Sequence, residues 1–224
     1  MPSVKIPKKS TWVDMTPFVD VAFLILTFFI MATKFKPPAA VTVTTPRSVS
    51  SDKLKEEDAV LIEFDSSGRV FFTMNVKKED DKGLKRDLIN EINKNRSLGL
   101  TDVEMQNFVQ YSTVGTPFAG LKSLLQMPKD QRIKVKQSGI RVDSTDNELV
   151  TWIGSAKVAF QGRPVLYMIK GDNNATYPTF KGVIEAMRKN DQFKYQLITD
   201  PKSAPPGTEL YRKRLSGVDE GGDE

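Results

Sequence analysis

Asp20 stands where an aspartate is costly. It lies about one turn inside an apolar stretch, residues 17–33, PFVDVAFLILTFFIMAT. At the centre of a membrane helix an aspartate costs about 2.5–3.5 kcal/mol, and less near an end. A costly residue of this kind points to function. On a helix of about 100° per residue, Thr16, Asp20, Thr27 and Lys34 fall within about 40° of one another. The polar groups form one narrow stripe, and the other faces carry Val, Phe, Leu, Ile and Met. Such a stripe should face protein or water within a larger assembly. A low-dielectric setting disfavours the charged form of a carboxylate, so the group can bind and release a proton. A proton crossing a membrane releases about 2.3 kcal/mol per 100 mV, enough to drive motion in neighbouring subunits. The alternative reading is an interfacial residue that snorkels to the headgroups.

The element that must hold Asp20 is a helix. From Thr16 to Lys34 it would rise roughly 27 Å, against a hydrocarbon core of about 30 Å. Thr16 can cap its start, and Pro17 suits the first helical position. Lys34 and Lys36 precede Pro37-Pro38, which cannot continue it. Lys5, Lys8 and Lys9 resemble the basic start of a signal peptide, but no clear small-x-small cleavage site follows the run. The positive-inside rule leans weakly toward a cytoplasmic N-terminus.

Residues 14–21, DMTPFVDV, closely resemble the membrane signature of the ExbD/TolR family. In that pattern a short basic N-terminus leads into polar-x-Thr-Pro-aromatic-aliphatic-Asp-Val and an apolar run. The family's aspartate carries the proton, and the resemblance places that role on Asp20. Thr27 falls where the family often has a polar residue on the same face. Asp14 stands where the family usually has asparagine. It lies about 120° around the helix from Asp20 and reads as interfacial. Val41, Thr42 and Val43 look like part of the family's short extended segment, which could receive a strand from a partner. Residues 60–73 look like its first hairpin and residues 164–200 like its closing strand-turn-helix-strand. Residues 97–147 have no counterpart in the smaller members.

The resemblance implies a subunit of a proton-driven motor in the bacterial inner membrane, N-terminus cytoplasmic and C-terminal domain periplasmic. Its expected partners are an ExbB-like multi-pass protein, a TonB-like energy transducer and a second copy of itself. Without His or Cys the chain shows no nucleophile-base pair or metal cluster, and its aromatics fit as core, so no enzymatic activity and no cofactor are expected. A TolR-like role in envelope maintenance stays open, as does a signal-anchored periplasmic binding module without motor activity.

The rest of the sequence reads as one folded domain. Val60, Ile62 and Phe64 alternate as a strand, Ser66-Ser67-Gly68 turns, and residues 69–73 return. Asp81 can cap a helix carrying Leu84, Leu88, Ile89 and Ile92. Thr101 and Glu104 have capping-box spacing. Thr116-Pro117 opens a helix with Phe118, Leu121, Leu124 and Leu125. Residues 133–135 suggest a short strand. Asp146 can cap a helix with Leu149, Trp152, Ile153 and Ala156. Residues 164–169 form a β-rich run, Tyr177-Pro178 opens another helix, and Phe193, Tyr195 and Leu197 alternate as a last strand. The expected fold is a single N-terminal transmembrane α-helix plus an α+β two-layer sandwich.

The boundaries follow: 1–13 cytoplasmic, 14–34 transmembrane, 35–58 linker, 59–200 domain with 97–147 inserted, and 201–224 a tail whose acidic, Gly-rich end reads as disordered. The chain holds no Cys and no His, which removes disulfides, thiolate metal sites and the usual near-neutral base. Its net charge of +5 is scattered and forms no nucleic-acid footprint. Residues 170–174, KGDNN, lack the later glutamate of a calcium loop and the lysine of a phosphate loop, and read as a turn.

Overall fold

The computed structural model describes residues 14–32, 41–48, 58–76, 82–143, 145–161 and 163–201. Asp81, Lys34 and the tail beyond residue 201 lie outside these. The chain forms two units, Met1–Pro38 and Ala39–Glu224.

Among its described residues the first unit holds one helix, α1, Thr16–Ala32. Asp14 starts it. Its Oδ1 accepts from the Thr16 backbone N–H at 3.0 Å and from the Thr16 hydroxyl at 2.6 Å. A free amide of the first turn is thereby satisfied from outside the helix. The cap is Asp14 and not Thr16, whose hydroxyl is itself a donor here. None of the helix's side chains is buried, and its Phe, Leu, Ile, Val and Met side chains lie open all round. Among the described residues no helix is long and apolar enough to cross a membrane. Of the expected span 14–34 the described part is this 17-residue helix, about 26 Å long at about 1.5 Å per residue.

The second unit is built on a mixed five-stranded sheet. Strands β2 (Ala59–Phe64) and β3 (Val70–Asn75) form the expected hairpin, in register from Ala59↔Asn75 to Phe64↔Val70. Arg69 and Gly68 close the turn: Asp65 Oδ1 accepts from the Arg69 N–H at 2.9 Å, and Gly68 takes the left-handed conformation with φ +78°. Strand β5 (Leu166–Gly171) pairs parallel with β2. Two-residue strands complete the sheet, β4 (Thr113–Val114) beside β3 and β6 (Gln196–Leu197) beside β5.

One face of the sheet carries Val60, Ile62, Phe64, Val70, Phe72, Met74, Tyr167 and Ile169. These residues share a single core cluster with the helices. The helices are α2 (Lys82–Arg96), α3 (Asp102–Gln110), α4 (Phe118–Gln126), α6 (Leu149–Ala159) and α7 (Tyr177–Lys189), with a short α5 (Lys129–Lys134) before α6. Each buries the residues that its 3.6-residue period selects: Leu88, Ile89 and Ile92 on α2, and Val183, Ala186 and Met187 on α7. The Thr101–Glu104 capping box forms in both directions.

The inserted region, residues 97–147, belongs to this core. Leu100, Phe108, Val114, Phe118, Leu121, Leu125 and Ile140 lie in the same cluster as the sheet. It also seals the β3 edge. Phe72 and Thr73 pair with β4, the Ser112 hydroxyl donates to the Met74 carbonyl, and the Ile140 N–H donates to the Val70 carbonyl. A sheet edge left open invites pairing with another chain, and here it is closed from within. Gly139 makes the last of these contacts possible. Its φ is +95°, and a Cβ there would stand 2.7 Å from the Arg69 Cα and 2.9 Å from the Val70 nitrogen. Gly139→Ala is expected to destabilise the protein by more than about 1 kcal/mol through left-handed strain alone. A denaturant melt of the purified protein measures it, and an unchanged midpoint would show that this contact is dispensable.

Four expectations need correction. Residues 133–135 are not a strand. Residues 129–134 are helical, with Pro128 as N-cap and Asp130 in the first turn, and Arg132 is buried, its guanidinium on the Tyr111 and Asn107 carbonyls. The strand-like bridge falls later, at Ile140. The N-cap of α6 is Glu148, not Asp146. Residues 193–197 do not bury an alternating face, since Phe193 is 69% and Leu197 55% exposed. The short β6 is the edge of the sheet, and among the described residues no strand lies outside it. Finally, part of the expected linker is ordered on the domain. Strand β1 (Arg47–Ser48) pairs parallel with β7 (Asp200–Pro201), Thr45 is buried, and the Thr44 N–H donates to Asp172 Oδ2 at 3.0 Å.

Candidate functional site

Asp20 sits one turn into α1 and is exposed. Thr16 lies one turn before it and Thr27 two turns after it, on the same side of the helix. The hydroxyls of both threonines are already donors. Thr16 Oγ1 donates to Asp14, and Thr27 Oγ1 donates to the Leu24 carbonyl at 2.9 Å, within its own helix. Lys34, the fourth member of the expected stripe, lies outside the described residues. The structure therefore keeps the threonines and the aspartate on one face and adds a residue that the spacing did not single out. Asp14, which the sequence marks as interfacial, holds the helix start. The signal was present, because an Asx residue two positions before a helix start is a common way to satisfy a first-turn amide.

Val41, Thr42 and Val43 lie outside every strand; the pairing falls further on, at β1. Residues 170–174 behave as the expected turn: Asp172 Oδ1 accepts from the Asn174 N–H at 2.9 Å. Asp172 also holds Thr44, and these backbone hydrogen bonds, Asn174's before Thr44's, lower its carboxyl below the usual range.

The second unit buries acids that sequence patterning did not mark, among them Glu148 and Glu63. Glu148 accepts from the Phe118 N–H at 3.0 Å, so it caps α4 across the fold, where Pro117 offers no side-chain cap. Glu63, 4% exposed, points away from the core face and meets Lys170 at 3.4 Å. Burial pushes its carboxyl above the ordinary value of 4.5, against the pull of Lys170. A raised folded-state value means that the protonated form favours the fold. That contribution is full below pH 4.5 and is lost as pH rises through the folded-state value. Glu63→Gln is thus expected to raise the melting temperature at neutral pH, with the gain closing at acid pH. Thermal melts across pH check this, and a variant less stable at neutral pH would show that the ion pair outweighs the burial. Both acids support packing and neither shares a site with a second catalytic group.

No curated protein and no solved structure matches the chain. A family model does: the biopolymer transport protein ExbD/TolR family, over residues 7–202. That range takes in α1, both sheets and the inserted region, and with it the whole DMTPFVDV segment. A match across most of the chain is membership, so this protein belongs to the ExbD/TolR family of biopolymer transport proteins.

Proposed function

We propose that this chain is the single-pass, proton-coupled subunit of an inner-membrane motor, with Asp20 as the ion-carrying group. Family membership across residues 7–202 carries the reading. It is supported by Asp20 being the one charged residue of a helix whose other faces are apolar. Soluble monomers rarely leave contiguous apolar surface of that kind uncovered, and lipid and partner helices would cover it. In this reading the segment that holds α1 crosses the bilayer once. An ExbB-like multi-pass protein shelters the polar stripe. The second unit lies in the periplasm, works as a homodimer and passes motion to a TonB-like transducer that energises transport across the outer membrane. Val41, Thr42 and Val43 are the segment to which a transducer strand would add.

The assembly is tested by affinity isolation. Tagged chain extracted from host membranes in mild detergent is expected to bring a multi-pass membrane protein with it. Recovery of the chain alone from the soluble fraction would contradict the reading. Loss of outer-membrane uptake on depletion supports the TonB-like role, and intact uptake with a leaky envelope would move the role to TolR-like maintenance.

A further inference from the structure

Thr16 and Thr27 share Asp20's stripe, and each has committed its only hydroxyl proton elsewhere. Thr16 donates to Asp14 at 2.6 Å and Thr27 to the Leu24 carbonyl at 2.9 Å. A hydroxyl has one proton and two lone pairs. Once the proton is given away, the oxygen can only accept. An ionised carboxylate can also only accept, so it gains nothing from such a neighbour. A protonated carboxylic acid has one O–H to donate and does gain. Thr16 and Asp20 are four residues apart, so their Cβ atoms are neighbours at about 5–6 Å on the helix surface.

We propose that Asp14 is a positioning residue for the ion-coupling group. By taking the hydroxyl proton of Thr16, it leaves Thr16 able to accept from proton-bearing Asp20 and unable to donate to ionised Asp20. The stripe then holds the protonated acid and releases the ionised carboxylate to its partners. The inference rests on the reading of Asp20 as the proton carrier. Asp14 Oδ1 also accepts from the Thr16 N–H, which fixes the acceptor in place. Asp14 and Asp20 are the ionisable side chains of residues 14–32, so no other charge of this helix competes for the role. Asparagine at position 14 would offer the same oxygen acceptor without the charge, and this separates hydroxyl direction from electrostatics.

The test is difference infrared spectroscopy of the full chain in its native membranes across a pH titration. The protonated-carboxyl stretch that Asp20→Asn removes belongs to Asp20. A carboxyl that loses its hydrogen-bond acceptor absorbs at higher wavenumber. Thr16→Val, which removes the acceptor, is expected to move the band upward. Asp14→Ala is expected to move it downward, because the freed Thr16 hydroxyl can donate to the acid's carbonyl oxygen, and Asp14→Asn is expected to leave it in place. A band unmoved by Thr16→Val and Asp14→Ala overturns this inference while leaving Asp20 a proton carrier. A band moved equally by Asp14→Asn also overturns it, because charge and not hydroxyl direction would then be responsible. If Asp20→Asn removes no band, Asp20 carries no proton, and the functional reading falls with the inference. Should Asp14→Ala fail to accumulate in membranes, Thr16→Val and Asp14→Asn decide alone.

Discussion

Asp20→Asn is expected to reduce energy-dependent outer-membrane uptake to background while the protein still reaches the membrane and still assembles. Asparagine preserves the size and shape of the side chain and removes the group that titrates. In a motor driven by proton passage, nothing else in α1 can substitute, because the remaining polar side chains of the described helix are threonines. About 2.3 kcal/mol per proton per 100 mV would then be unavailable to the complex. Asp20→Glu keeps the titrating group on a stem one methylene longer and is expected to recover part of the activity. Uptake of a labelled substrate by cells, with immunoblots of chain and complex, measures both variants. Undiminished uptake in Asp20→Asn would make Asp20 a tolerated interfacial charge and the protein an anchored binding module.

Trp152→Ala carries the largest expected effect on stability. Trp152 is fully buried on α6. Its ring centroid lies 5.1 Å from that of Phe72 on β3, 6.0 Å from Phe108 on α3 and 5.6 Å from Phe118 on α4. One side chain therefore ties the sheet to two helices of the inserted region. Truncating a buried tryptophan to alanine costs about 3–5 kcal/mol, from lost transfer energy and the cavity left behind. A domain has only about 5–15 kcal/mol in total. The variant is expected to melt at much lower temperature and to become protease-sensitive within residues 97–147. Trp152→Phe is expected to cost less. It keeps a ring in the stack and removes a buried indole N–H that has no acceptor. Thermal melts and limited proteolysis of the purified protein check both. A mild effect of alanine would show that the inserted helices hold to the sheet without this stack.

What was legible in the sequence was local. The apolar spacing of α2, α4, α6 and α7 sufficed, as did the capping box of α3 and the turn of the hairpin, because each depends on residues within a few positions. Two β-branched residues, Ile133 and Val135, suggest a strand over 133–135, but Pro128 and Asp130 are the better local signals, and residues 133 and 134 are the last turn of α5. The pattern of Phe193, Tyr195 and Leu197 could not reveal that β6 is an edge strand, since exposure depends on what lies beyond it. The sealing of β3 joins residues such as Thr73 and Thr113 that lie far apart in sequence. No spacing rule reaches that far. The same division holds for the site: Asp20, Thr16 and Thr27 share a face by helical arithmetic. The direction of each hydroxyl, and with it the place of Asp14, needed coordinates.

Proton flux through the assembled complex tests the motor reading most directly. The chain and its multi-pass partner, co-reconstituted in liposomes with a pH-sensitive dye inside, would be given a pH gradient and a membrane potential. Wild-type complex is expected to pass protons and the Asp20→Asn complex to pass none above the empty-liposome background. Equal flux in the two, or no flux in the wild type, would contradict proton coupling at Asp20.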